Sequence, residues 1–247
     1  MLIPLFAYWV IGVTSFTLLG SLYARRLGSS DLLVGLYVAF VLMSQILATK
    51  VASFDLGSMG LFTTSAGVLV FSVTFLLTDI VNERFGRKAT QRMIFIALIA
   101  QMAMVFFLWL GAQFEPHPFW SEQGKYWDSL FVVVPQMTIA SWVAFFISEN
   151  IDAYIYAWFK ERTHGKHLWL RNVISTIPAL TIDSVLFVFI AYVGVSMELM
   201  LALIWGQLVL KWVVGLLNIP FMYLNYFILT HGKESLDREL WGKVMTE

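Results

Sequence analysis

Residues 173–197, VISTIPALTIDSVLFVFIAYVGVSM, and residues 199–229, LMLALIWGQLVLKWVVGLLNIPFMYLNYFIL, decide how this chain is read. Each run reaches the roughly 20 apolar residues a helix needs to cross the hydrocarbon of a bilayer. Each also holds one charge at depth, Asp183 in the first and Lys211 in the second. A charge at the centre of a spanning helix costs about 2.5–3.5 kcal/mol on insertion. Such a residue is expected to face a partner, a cavity or a transported ligand.

The composition of all 247 residues agrees: 59% are hydrophobic, 16% aromatic and 13% charged. A soluble domain is nearer half apolar and a quarter charged. The expected class is an all-α integral membrane protein. Formal net charge is zero, so no global field argues for nucleic acid. The absence of cysteine excludes disulfides and thiolate chemistry. The start, Met1-Leu2-Ile3-Pro4-Leu5, lacks the basic residues of a cleaved signal, so the first apolar run is expected to be retained.

About seven transmembrane helices are expected, over residues 4–24, 31–53, 61–81, 90–111, 129–159, 173–197 and 199–229. Arg25, Arg26, Arg84, Arg87, Lys88, Arg92, Lys160, Arg162, Lys166, Arg171, Lys233, Arg238 and Lys243 fall in alternate connections and the tail, against Lys125 alone on the other side. The positive-inside rule then places the C-terminus in the cytoplasm and the N-terminus outside. Trp120, Tyr126 and Trp127 near the outer mouth, and Trp158 and Trp169 near the inner one, suit an aromatic belt. Pro135, Pro178 and Pro220 fall within spans; the last two leave the carbonyls of Ile174 and Leu216 without a helical donor.

Polar residues recur at helical spacing inside these runs. Gln207, Lys211, Gly215 and Asn218 share one face of the last span. Two readings of Lys211 stand together: a seam facing the bundle interior, and a structural pair with Asp183. Glu149, Asp152 and Tyr156 share a face with Trp142 and Phe145 in the fifth span. Two carboxylates one turn apart repel unless a proton or a cation intervenes. Asp79, Asn82 and Glu83 line one face at the end of the third span, where Gly86 is expected to close the helix in a left-handed cap. Asp79 is the deeper of its two acids and the better site candidate. Gln45 and Thr49 share a face of the second span, while Lys50 is placed to snorkel outward. No GxxxxGK[ST], GxSxG or HExxH occurs, and the four histidines lie in connections or tail. Neither an enzyme, a metal centre nor a bound cofactor is expected.

The segment Thr78-Asp79-x-x-Asn82-Glu83-x-x-Gly86-x-Lys88-Ala89 resembles a signature of the queuosine precursor transporter family, related to the vitamin uptake transporters. So do Trp169-Leu170-Arg171-Asn172-x-x-Ser175-Thr176, Ile182-Asp183-Ser184 with Phe187, and the position of Lys211. The likeness runs over residues 35–230. It departs at Glu149 and Leu180, where the family often has glutamine, and at Pro135-Gln136, where it often has Pro-Arg. The resemblance implies a six-helix core over residues 31–230, preceded by an additional helix within residues 1–30 and followed by a cytoplasmic tail over 231–247. It implies a multi-pass protein of the cell membrane that imports a 7-deazaguanine base: the 7-cyano form, the aminomethyl form or queuine.

A guanine-like edge offers adjacent N–H donors that a carboxylate accepts, and its face stacks on aromatic rings. Asp183, Asp152 or Glu149 suits the donors; Lys211, Gln207 or Asn218 suits the carbonyl; Trp142 or Phe145 suits the ring. Asp79 completes the candidate binding set. The leading reading is a secondary carrier or facilitator. A substrate-capture subunit with a separate ATP-driven module, and a scaffold whose buried charges only knit helices, are the alternatives. A homodimer fits any of the three.

Overall fold

A computed structural model describes residues 2–48, 50–55, 61–131, 135–164, 167–194 and 196–230. The helices are α1 (Leu2–Leu27), α2 (Asp31–Ala48), α3 (Gly67–Phe85), α4 (Arg87–Gly111), α5 (Ser121–Phe131), α6 (Pro135–Arg162), α7 (Leu168–Ala191) and α8 (Met197–Thr230). A single 3-10 turn, Pro118–Trp120, precedes α5. Among the described residues α1, α2, α4, α7 and α8 are long and apolar enough to cross a membrane. The exposed large side chains, among them Phe95, Phe106, Phe107, Trp109, Leu201 and Trp205, are apolar, as a lipid-facing surface requires. The chain is a multi-pass helical membrane protein.

The remaining two long helices teach more. α3 and α6 are long enough to span, but they carry Asp79 and Glu83, and Glu149 and Asp152. Asp79, Glu149 and Asp152 are fully buried, and from Ser72 to Asn82 α3 is buried without a break. α3 packs against α2, α4, α6 and α8, while α6 and α7 form a tightly packed helical hairpin. Gly215 of α8 lets that helix close on α7, since a Cβ there would meet Leu180 Cδ1 at 3.1 Å. Pro178 and Pro220 lie inside continuous helices, each on an exposed face.

Several expected boundaries are corrected. The second span ends at Ala48, and the third helix begins at Gly67. Between them an antiparallel hairpin pairs β1 (Val51–Asp55) with β2 (Leu61–Ser65), so the fold is not purely α. Its base is closed by Ala66 N–H donating to the Lys50 carbonyl at 2.8 Å. Val51, Phe54, Phe62, Thr63 and Thr64 are β-branched or aromatic, and turn-forming Gly57, Ser58 and Gly60 interrupt the apolar run that had suggested unbroken helices. The fifth span does not start at residue 129: those residues belong to α5, and Pro135 opens α6, where its missing N–H costs nothing. Gly86 has a positive φ of 80° but a ψ of 170°, which is not the left-handed cap expected; its N–H still closes α3 on the Asn82 carbonyl. Arg171 was counted among the connecting bases but lies in the first turns of α7, fully buried.

The first helix is fastened to the last. Ser21 donates to Asn225 Oδ1 at 2.7 Å, and Asn225 Nδ2 donates to Thr17 Oγ1 at 3.2 Å. Trp9 Nε1 reaches the Leu69 carbonyl of α3 at 3.1 Å. Lys50 is exposed, as expected of a snorkelling cation; Thr49 and the tail over residues 231–247 lie outside the described residues.

Candidate functional site

The buried polar residues gather where α3, α6, α7 and α8 meet, in layers that α6 crosses from its Pro135 end to its Arg162 end. Ser141, Phe145, Ser148, Asp152, Tyr156 and Lys160 succeed one another at three- and four-residue spacing, so one face of α6 runs through every layer.

Near the first end, Gln45 of α2 donates to Gln101 Oε1 at 3.0 Å and to Ser141 Oγ at 2.5 Å. An aromatic layer follows. The Phe145 ring lies 6.2 Å from that of Tyr37 and 6.2 Å from that of Phe71. The Tyr37 hydroxyl is a neighbour of Glu149. Trp142 is half-buried, with no partner for its Nε1.

The ionic centre comes next. Lys211 Nζ donates to Asp183 Oδ2 at 2.6 Å and to Gln207 Oε1 at 3.3 Å, and lies 5.5 Å from the Phe71 ring centroid. The other Asp183 oxygen accepts from Ser148 at 3.3 Å. Both charges are almost wholly withdrawn from solvent, Asp183 at 4% exposure and Lys211 at 6%. Glu149 Oε1 accepts from Thr74 at 2.9 Å, and its Oε2 has no partner. Asp152 accepts from Thr78 at 3.4 Å and Thr176 at 3.3 Å, and its carboxyl stands against that of Asp79. Asn218 donates to the Ser72 carbonyl at 2.8 Å and leaves its own Oδ1 unpartnered.

An inner layer closes the series. Asp79 accepts from Asn172 through one oxygen and leaves the other free. Asn82 donates to the Ala153 carbonyl at 2.8 Å. Glu83 gathers three groups: Arg171 Nη2 at 3.0 Å, Lys160 Nζ at 3.2 Å and the Tyr156 hydroxyl at 3.1 Å.

The structure thus brings together Asp183, Lys211, Gln207, Asp152, Glu149 and Asn218, with Phe145 packed above them. Asp79 lies one layer further in, and Trp142 stands toward the other end. Lys211 is paired with Asp183, so both readings of that residue meet in one geometry. The two described cavities lie elsewhere. One, of about 440 Å³, is lined by Phe114, Trp120, Tyr126 and Trp127; the other, of about 380 Å³, by Asn82, Gly86, Arg87, Lys160 and His164. Neither is lined by the residues of the ionic centre, whose two charges are almost wholly withdrawn from solvent.

Chemically, the arrangement is rich in buried acceptors and poor in cations. Among the described residues, Asp79, Glu149 and Asp152 form no ion pair, while Asp183 does. An unpartnered buried acceptor costs about 1–3 kcal/mol. A small guest bearing N–H donors would satisfy several at once.

Sequence reasoning missed Tyr37, Phe71, Thr74, Ser148 and Arg171. Thr74 and Thr78 stand one turn apart just before Asp79, a readable signal. Arg171 follows a basic connection and shares its composition, which disguised it. Tyr37 and Phe71 look like ordinary aromatics of apolar helices, and nothing in their spacing separates them.

Comparison with known proteins agrees with the resemblance drawn from the sequence. A family model described as "Putative vitamin uptake transporter" matches residues 65–225, well over half the chain, including Asp79, Glu149, Asp152, Asp183 and Lys211. A protein of Bacillus subtilis (strain 168) named "Probable queuosine precursor transporter" is 22% identical over 231 residues, covering 93% of this chain and 98% of its own length. No solved structure matches. The family is one of transporters rather than enzymes, and the matched span, holding nearly all of the buried polar cluster, places this chain within it: the protein belongs to the vitamin uptake transporter family.

Proposed function

We propose that this protein imports a queuosine precursor, a 7-deazaguanine base, across the cell membrane by a secondary or facilitated mechanism. The observation that carries the reading is the set of fully buried acceptors without partners, Glu149 Oε2 and Asn218 Oδ1, beside a directly formed Asp183–Lys211 pair. A deazaguanine supplies what is lacking. Its N1–H and 2-amino donors suit Glu149 and Asp152. Its carbonyl suits Lys211, freed from Asp183, or the amide donors of Gln207 and Asn218. Its ring suits Phe145, with Trp142 nearer the entrance. The relative's name and its near-full-length coverage support the substrate class.

Seven spans, α1 to α4 and α6 to α8, with the N-terminus outside and the basic connections inside, agree with the charge distribution. In this orientation the aromatic-lined cavity faces outward and the Lys160 cavity inward. Access alternates around the closed ionic centre, with the Asp183–Lys211 pair opening to admit the guest. Protonation of a buried carboxyl is the coupling step where transport is driven.

The test is uptake of labelled 7-cyano- and 7-aminomethyl-7-deazaguanine by liposomes that contain this protein alone. Saturable uptake, abolished by Asp183→Asn, is the expected result. Binding without uptake would instead identify a capture subunit that needs a separate ATP-driven module. Absence of both binding and uptake would leave only the scaffold reading.

A further inference from the structure

The inner layer holds a donor set and an acceptor set that the ionic centre does not use. Arg171 is fully buried at the start of α7. Its Nη2 lies 3.0 Å from Glu83, but its Nε and Nη1 have no acceptor. A buried guanidinium with two unmet N–H groups is a costly arrangement, because hydrogen bonds to charged groups are worth about 1.5–3 kcal/mol each. Asp79 leaves one oxygen without a donor in the same layer, with its carboxyl beside that of Asp152. The two are joined through their neighbours. Asn172, next to Arg171 in the chain, donates to the other Asp79 oxygen. The Tyr156 ring lies 5.5 Å from the Arg171 guanidinium and within electrostatic reach of Asp79.

Glu83 does not complete this layer. It already receives Lys160, Tyr156 and Arg171, and Lys160 also lines the 380 Å³ hollow. The unmet atoms are therefore one carboxylate oxygen and two guanidinium nitrogens. A group that offers an N–H donor and a carbonyl acceptor along one edge satisfies both.

The geometry points to a second binding station, formed by Asp79 and Arg171, that reads the lactam edge of a guanine-type base as it leaves the ionic centre. The free oxygen of Asp79 accepts from the ring N–H. Arg171 donates to the adjacent carbonyl through a nitrogen that Glu83 does not use. Arg171 becomes a specificity-determining residue, since a lysine at this position would keep the charge but lose the planar fork. The inference rests on the nucleobase reading proposed above.

The experiment measures binding of two probes to the purified full chain. One is 7-cyano-7-deazaguanine; the other carries an amino group in place of its 6-carbonyl. The wild type is expected to favour the first. Arg171→Lys should cut affinity for the carbonyl probe at least about tenfold and leave the amino probe nearly unchanged, as for a site that loses a dedicated donor. Glu83→Gln breaks the same ion pair but keeps the guanidinium, and should retain the discrimination even where melting falls. Equal weakening of both probes by Arg171→Lys, no change in either, or loss of discrimination in Glu83→Gln overturns the station. A wild type that binds neither probe overturns the nucleobase reading as well, and a wild type that binds both equally overturns the station alone.

Discussion

The two pairs of helices that build the ionic centre treat charge in opposite ways. α7 and α8 each bring one formal charge to it and direct the two at each other, Asp183 against Lys211 at 2.6 Å. α3 and α6 bring Asp79, Glu149 and Asp152 and, among the described residues, no cation paired with any of them. The first pair is neutral and closed; the second is acidic and short of donors. A closed pair locks helices together and must break for anything to pass. An acidic surface with unmet acceptors is where a donor-bearing guest gains most. In the proposed reading the latch and the receptor are adjacent but separate.

The largest effect should come from breaking the latch on one side. Lys211→Met leaves Asp183 buried without its cation, and losing one member of a buried pair costs about 3–5 kcal/mol. The melting temperature in detergent should fall sharply. The double variant Asp183→Asn with Lys211→Met removes both charges and should recover most of that loss, yet should not transport. If the double variant melts as low as the single one, Lys211 is held by more than Asp183 and the separation of latch from receptor fails.

The acidic side should respond the other way. Glu149→Gln and Asp152→Asn each remove a charge that has no paired cation, so the ligand-free protein should melt at the same temperature or higher. Affinity for a deazaguanine should nevertheless drop by about tenfold or more, since a carboxylate accepts stronger hydrogen bonds from N–H groups than an amide does. The contrast is read in one pair of melting curves, with and without ligand. A variant that loses stability and keeps the ligand-induced shift would assign Glu149 or Asp152 to the framework.

Much of this division was legible in the chain. Asp183 and Lys211 stood out because each interrupts an apolar run long enough to span, and Glu149 with Asp152 because helical spacing put them on one face. The deeper position of Asp79 relative to Glu83 was also readable. What escaped has physical reasons. The β-hairpin hid because its strands are as apolar as helix ends, and only Gly and Ser interrupt the run in sequence. Arg171 hid because a base after a basic connection looks like part of that connection; only its burial beside Glu83 reveals it. Tyr37 and Phe71 acquire meaning from Phe145 across the helix interface, and no local pattern encodes a contact between separate helices.

The smallest effect should appear at a third polar cluster, where every group is met. Asn225 of α8 uses its oxygen on Ser21 and its amide on Thr17 and the Phe221 carbonyl. It stands fourteen residues beyond Lys211, about 21 Å along a helix. Interhelical hydrogen bonds of this kind in membranes average about 0.6 kcal/mol. Asn225→Leu should therefore lower the melting temperature by a few degrees at most and leave uptake by liposomes unchanged. The saturated cluster fastens α1 to α8; on the proposed reading it takes no part in passage, which the unsaturated clusters serve. Loss of uptake with an intact fold in Asn225→Leu would show that saturation is a poor guide to function here, and that α1 belongs to the moving parts.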